Sequence, residues 1–413
     1  TDTVIGANTA NAWTVSGSDS GTVNTNTSFS GFENLTGGTA ADTFTFAVGG
    51  SLTGNAVGGS GIDQLDLSAK SGALEFRLGT VNRVTGITGY ATIESVTGNS
   101  VAGSAVVGAN VATTWLATAA GQIVVGGATY SGVSTITGGT SNDLLVGPNV
   151  ANSWNVSGAD SGSLNSGTSP ISFTGVENLS GGTLADTFTF ASGASLTGNA
   201  VGGSGIDQLD LSAKSGALEF RLGTVNRVTG ITGYATIETV TGNGAAGSAV
   251  VGAKVATTWV ATAVGQIVVG GGTYSGVSAI TGGTALDTLT GPNVATSWTI
   301  SGNNSGSLNT GTATVDFTGV ENLTGGTNSD TFLMLPAGTL SGNLNGGTGT
   351  LLNSLSYSSW TTSVVVNLSV ATAGNATAIT QITSNIQLVT GGSGNDTLTG
   401  QASRTTVLVG LGG

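Results

Sequence analysis

The sequence predicts an all-β protein, a parallel β-helix or β-roll-like solenoid with rungs of about 20–21 residues and about seven rungs per long repeat. Three observations predict it. First, Ser51–Glu94 recur letter for letter as Ser195–Glu238, an offset of 144 (207 − 63 for the markers Asp63 and Asp207). The same offset carries Trp115 to Trp259, Asp143 to Asp287, Trp154 to Trp298, Glu177 to Glu321 and Asp186 to Asp330. Second, a shorter phrase, hydrophobic-x-x-hydrophobic-Thr/Ser-Gly-Gly, recurs inside each long unit. Third, the chain holds 72 Gly and 7% charged residues beside 38% hydrophobic ones, so it buries apolar surface in narrow layers, while the Glu, Lys, Arg and Met that build helices are scarce.

The short phrase sets the rung. It stands as FENLTGG at Phe32–Gly38, VSTITGG at Val133–Gly139, VENLSGG at Val176–Gly182, VSAITGG at Val277–Gly283 and VENLTGG at Val320–Gly326, with weaker forms at Ile93–Asn99 and Ile237–Asn243. The first turn glycines, Gly37, Gly58, Gly98, Gly138 and Gly181, are 21, 40, 40 and 43 residues apart, or one, two, two and two coils. Alternating segments between these turns read as strands: Trp13–Ser16, Thr43–Phe46, Gln64–Leu67, Leu74–Leu78, Ile123–Val125 and Val364–Leu368. Gly, Asn and Asp supply the corners. Tandem sandwich domains compete as a fold, but a 20-residue echo is too short for a domain and suits one coil.

The long repeats divide the chain at 1–146, 147–290 and 291–413, the last shortened and diverged, along one continuous solenoid. Thr1–Gly6 (TDTVIG) resembles Asn142–Gly147 (NDLLVG), so the chain is expected to start inside a repeat and to be a piece of a longer polypeptide.

Charge and composition exclude several function classes. The net charge is −13 with eight Lys and Arg in all, which disfavours nucleic-acid binding. No apolar run approaches the roughly 20 residues of a membrane-spanning helix, so no transmembrane segment is expected. Cys is absent, compatible with a bacterial surface protein. His is absent too, which removes the commonest general base and the Ser-His-Asp triad, and the chain is expected not to be an enzyme.

Eight Gly-Gly turns are followed by an Asp: Asp42, Asp63, Asp143, Asp186, Asp207, Asp287, Asp330 and Asp396. Gly58–Asp66 and Gly202–Asp210 (both GGSGIDQLD) and Gly391–Thr399 (GGSGNDTLT) fit the nonapeptide G-G-x-G-x-D-x-U-x. On these residues the chain resembles the RTX family of secreted bacterial proteins. That resemblance implies a β-roll whose carbonyls and Asp carboxylates hold Ca²⁺, with Asp42, Asp63, Asp186, Asp207 and Asp396 as the candidate ligands. The motifs here stand 20 to 40 residues apart rather than head to tail, so complete sites of the family type are not expected from the spacing, and the competing reading is that each Asp hydrogen-bonds the backbone of its own turn. In the third copy Asp330 remains, but the place of Asp207 falls at Leu351 and the pair is expected to be lost. The wider phrases FENLTGGTAADTFTF and VENLSGGTLADTFTF resemble giant filamentous-haemagglutinin-like and RTX-like adhesins, implying export, a β-solenoid and a role at the cell surface.

Two further sets recur. Trp13, Trp115, Trp154, Trp259 and Trp298 each follow a polar stretch and are expected to fill equivalent corners of the core; an exposed row stacking on sugars is the competing reading. Lys70, Arg77 and Arg83 recur as Lys214, Arg221 and Arg227 beside Glu75 and Glu219, and are expected to be a solvated face with local ion pairs. Frequent Asn is expected to ladder between rungs. The expected function is a structural or adhesive extracellular repeat protein of a bacterium, a rod or the subunit of a filament, sheath or surface layer that self-associates. The alternative is a glycan- or host-protein-binding adhesin module, and a β-helix polysaccharide-degrading enzyme stands third.

Overall fold

A computed structural model describes residues 1–118, 121–167, 169–349, 351–370, 372–402 and 404–412. Among the described residues the chain forms 47 short strands and no helix. It folds as two compact units, Thr1–Gln208 with Gly230–Thr236, and Leu209–Thr229 with Ile237–Gly413. The long parallel ladders of each unit are those of a β-solenoid, as the alternating segments predict.

In the first unit the chain passes back and forth between two sheets. One sheet carries a column of parallel strands centred on Trp13, Phe44, Leu65, Val96 and Tyr130, each in direct register with the next. The other carries Val4, Leu35, Ala56 and Tyr90, then Phe76, Val106, Ile136 and Phe173. Every one of these side chains except Val4 is buried, and apart from Gly89 beside Tyr90 its neighbours along the strand are more exposed, the period-two pattern of a half-buried strand. The rings stack along the ladder: Trp13 on Phe44 with centroids 5.7 Å apart and planes 6° from parallel, and Trp154 on Phe188 at 5.6 Å and 7°. Tyr90 and Tyr130, from opposite sheets, join their hydroxyls at 3.0 Å inside the core.

The parallel ladders are interrupted by antiparallel meanders of three strands. In one, Ser153–Gly158, Ser161–Asn165 and Ile171–Thr174 fold back on one another. Others span Ala12–Ser30, Glu75–Ala91 and Thr114–Ser131. These four alternate between the two sheets, so both sheets lengthen at the same rate. The second unit repeats the scheme, with parallel columns on Phe220–Val250–Ile280–Phe317, Trp259–Leu289–Leu323–Leu344 and Trp298–Phe332–Leu355–Val389.

The meanders refine the expected rung. Stacked residues are 21 apart at Leu35–Ala56, Phe44–Leu65, Leu179–Ala200 and Leu323–Leu344. Elsewhere in the first unit the separation lies between 30 (Phe76–Val106) and 37 (Ile136–Phe173), because a meander or a longer corner is built into the coil. The 144-residue unit is therefore not a whole number of turns. Asn34–Gly38 lies in one sheet of the first unit, and its counterpart Asn178–Gly182 lies in the other. Three alternating meanders per repeat, an odd number, require this exchange.

Candidate functional site: the aspartate turns

The turns that carry the candidate ligands are built by the Gly-Gly pair. A Cβ on Gly37 would collide with Asp42 Oδ2 and with the Gly58 carbonyl oxygen of the next coil. Gly58 faces the same obstacle from Asp63 Oδ2 and the Thr92 carbonyl. Glycine thus lets the Asp side chain fold back under its own turn, against the coil above.

There the carboxylates form a ladder between coils. Asp42 Oδ1 accepts the backbone N–H of Asn11 at 2.7 Å, and the N–H of Asp42 is donated to Asp63 Oδ1 at 2.7 Å. Asp63 N–H in turn goes to Glu94 Oε2 at 2.8 Å. The second copy repeats the links, Asn152 N–H to Asp186 Oδ1 and Asp186 N–H to Asp207 Oδ1, both at 2.8 Å. Shorter runs join Thr113, Asp143 and Glu177 in the first unit and Thr257, Asp287 and Glu321 in the second. Asp396 Oδ1 accepts Val364 N–H at 3.0 Å. Each Asp is thus tied to a neighbouring coil rather than to the backbone of its own turn alone. Asp143, Asp287 and Asp330 do both, their Oδ2 accepting the N–H of Gly139, Gly283 and Gly326.

The second oxygens of Asp42, Asp63 and Asp186 are buried and have no hydrogen-bond donor among the described residues. Each flanks the glycine of its own turn, whose other neighbour is a carbonyl oxygen of the next coil, that of Gly58, Thr92 and Gly202 respectively. A buried acceptor without a donor is unfavourable. Burial accordingly pushes the Asp63 carboxyl above the usual carboxylate range, and the charges of Asp42 and Glu94 add to the effect. Burial raises Asp186 and Asp330 as well, with the nearby Asp207 adding to the shift at Asp186.

Asparagine occupies the same place in other coils and resolves the conflict. Asn11 Nδ2 donates to the Gly37 carbonyl at 3.1 Å and Asn152 Nδ2 to the Gly181 carbonyl at 3.0 Å. The third repeat gives the clearest case and corrects the expectation for Leu351. That residue is exposed, and the place of Asp207 is taken two positions later by Asn353. Asn353 Oδ1 accepts the N–H of Asp330 at 2.8 Å, its Nδ2 donates to the Asn385 carbonyl at 3.0 Å, and its own N–H goes to Gln387 Oε1 at 2.8 Å. A two-residue insertion hides the position from a fixed offset, and the pair is kept.

The structure thus brings Asp42 beside Asp63 and Asp186 beside Asp207, and places Asp396 in a separate, half-buried turn of the second unit. For a metal, the turns offer the Oδ2 atoms of Asp42, Asp63 and Asp186 and nearby backbone carbonyls. Among the described residues no group of three or more acidic side chains converges on one point.

Sequence reasoning missed two sets. Glu33, Glu94, Glu177 and Glu321 end the ladders by accepting an Asp N–H, and their signal is the Glu of the FENLTGG, IESVTGN and VENLTGG phrases. Asp19, Asp160 and Asn304 turn the meander hairpins with φ of 48°, 46° and 49°, and each caps a strand of another coil at Thr53, Thr197 or Ser341. The five repeating Trp are all buried and fill the core as expected. The Asn ladder is present as well, Asn55 N–H to Asn34 Oδ1 and Asn199 N–H to Asn178 Oδ1, both at 3.0 Å. No helix among the described residues is long and apolar enough to cross a membrane. No protein-family model matches the chain, and no curated protein matches it.

Proposed function

We propose that this chain is a structural, non-catalytic segment of an extracellular bacterial surface protein, working as a scaffold that associates with further copies into a filament, sheath or layer. The observation that carries this reading is where the repeated polar groups go. The Asp, Asn and Glu side chains of the ladders satisfy backbone groups of the neighbouring coil, so the chemistry they carry from repeat to repeat is that of extending a coil. Asn353 and Gln387 do the work of Asp207 and a Glu without their charge, as a structural ladder allows and a catalytic carboxylate would not.

Lateral association is supported by aliphatic side chains at the Asp corners. Ile62, Leu184 and Ile206 in the first unit and Leu286 in the second are more than half exposed, each one or two residues before a ladder Asp. Repeated apolar points of this kind suit contact with a second copy. Export to the cell surface rests on the RTX-like and haemagglutinin-like phrases, the absence of Cys and the charge of −13.

Sedimentation and negative-stain electron microscopy of the purified chain, with and without Ca²⁺, test the reading. Concentration-dependent filaments or sheets are expected. A chain that remains monomeric at high concentration with Ca²⁺ present overturns it.

A further inference from the structure

The arginine pairs of the repeated 44-residue block carry an inference independent of the scaffold role. In the first unit, strand Glu75–Arg77 runs antiparallel to Asn82–Val84 with Arg77 directly opposite Arg83. Phe76 and Val84 point into the core, so both guanidinium groups stand on the outer face. Directly opposed residues of an antiparallel pair have Cβ atoms about 4.5–5.5 Å apart, and like charges so placed destabilise the sheet. Arg77 is held by an ion pair with Glu75, while Arg83 forms no salt bridge among the described residues. The second unit repeats all of this, Arg221 opposite Arg227 with Glu219 paired to Arg221.

The coil itself does not need the pair. In the shortened repeat, strand Val365–Asn367 buries Val366 in the same manner as Phe76 and carries no Arg on its outer face. Lys70 does not share the role, because its ammonium is tied to the Gly50 carbonyl and lies 5.8 Å from the Phe46 ring. An unfavourable charge pair, present in two copies and dispensable for the fold, points to a ligand of opposite charge.

The surroundings define that ligand. Arg77 and Arg83 stand between two shallow grooves of about 640 and 380 Å³. The larger is also lined by Gly108, Asn110, Gly138 and Gly139. The smaller is edged by Thr85, Thr88 and Glu75. Two guanidinium groups in one register suit the planar oxygens of a carboxylate. Glu75, and a molecule of net charge −13, oppose a densely charged polyanion and favour one with spaced charges. The geometry points to a binding groove at Arg77/Arg83 for a carboxylate-bearing polysaccharide of the polyuronate type, with Arg221/Arg227 offering the same pair of cations in the second unit.

The test titrates the purified full chain with polygalacturonate, with the same polymer methyl-esterified, and with heparin, at low ionic strength. Polygalacturonate is expected to bind, more weakly as salt rises to about 150 mM. The esterified polymer and the Arg83→Gln, Arg227→Gln double variant are each expected to lose about tenfold or more in affinity. The double variant should melt no lower than the parent, since it removes like-charge contacts and no core atom. Absence of polygalacturonate binding, equal binding of the esterified polymer, tighter binding of heparin, or full affinity in the folded double variant overturns the proposal.

Discussion

The backbone N–H of Asp42 donates to Oδ1 of Asp63, 21 residues later and one coil away, at 2.7 Å. Two buried acidic side chains are thus stacked in a column, each accepting a hydrogen bond through one oxygen while the other has no donor among the described residues. The column is built for acceptance at Oδ1 and is unsatisfied at Oδ2. Most of what can be tested about this chain follows from that asymmetry.

Replacing the unsatisfied oxygen with a donor should help. Asp63→Asn keeps the acceptor for Asp42 N–H and offers Nδ2 to the Thr92 carbonyl, as Asn353 Nδ2 is offered to the Asn385 carbonyl. Urea denaturation at neutral pH should show Asp63→Asn more stable by about 1 kcal/mol, the scale of one net hydrogen bond. Asp63→Ala should lose about 2–4 kcal/mol, because the buried N–H of Asp42 then has no acceptor. An Asn variant as damaging as the Ala variant would show that the negative charge itself is required.

Acid should stabilise the fold before it harms it. Burial holds the Asp63, Asp186 and Asp330 carboxyls above their unfolded values. A carboxyl raised in the folded state favours folding most fully below its unfolded pKa, and that contribution is lost as pH rises through the folded value. The melting temperature should therefore climb as pH falls from neutral toward the ordinary Asp range near 4. The Asp63→Asn, Asp186→Asn, Asp330→Asn variant should show a flatter profile. A parent melting temperature that only falls across that window contradicts the assignment.

The turn glycines separate a steric need from a conformational one. A methyl at Gly37 meets Asp42 Oδ2 and the Gly58 carbonyl, whereas Gly31, at φ 75°, has nothing within 4 Å of the added carbon. Gly31→Ala should cost about 1 kcal/mol, the strain of a left-handed non-glycine residue. Gly37→Ala should cost about 3 kcal/mol, because backbone from the next coil must move. Equal losses in thermal melts would mean the Asp does not sit under its turn.

The sequence made the strands, the buried Trp corners and the Asp turns legible, because each depends on residues close together in the chain. Thr43–Phe46 alternates inward and outward as written, and the Gly-Gly-x-x-x-Asp spacing is itself the turn. What stayed hidden depends on pairing across coils. The donors to Asp42, Asp63 and Asp143 lie 31, 21 and 30 residues away, at positions with no common residue type, since any backbone N–H serves. The exchange of sheets between Asn34–Gly38 and Asn178–Gly182 comes from the number of meanders, and a meander strand such as Ser161–Asn165 has the same short alternating look as a coil strand. Asn353 escaped notice because an insertion of two residues breaks the offset without breaking the ladder.

Calcium is the ligand that the nonapeptide resemblance implies at Asp42, Asp63, Asp186, Asp207 and Asp396, and the geometry makes a definite forecast for it. Ca²⁺ takes about six to eight oxygens on loops that converge from several directions. In the column Asp42, Asp63 and Asp186 each have Oδ1 committed to a backbone N–H, which leaves one carboxylate oxygen per coil beside a carbonyl. Asp396 is different, being half-buried near the exposed Gly410 and Gly412 backbone. Calorimetric titration of metal-free protein should therefore show no binding tighter than about millimolar at the column, the weak end of extracellular Ca²⁺ modules. Any weaker heat should vanish with Asp396→Asn and survive Asp63→Asn. Micromolar binding abolished by Asp63→Asn would instead mean that the column reorganises around the ion, releasing Oδ1 from the Asp42 N–H. The same variant would then lose stability with Ca²⁺ present and gain it without, a reversal that the hydrogen-bond ladder alone does not produce.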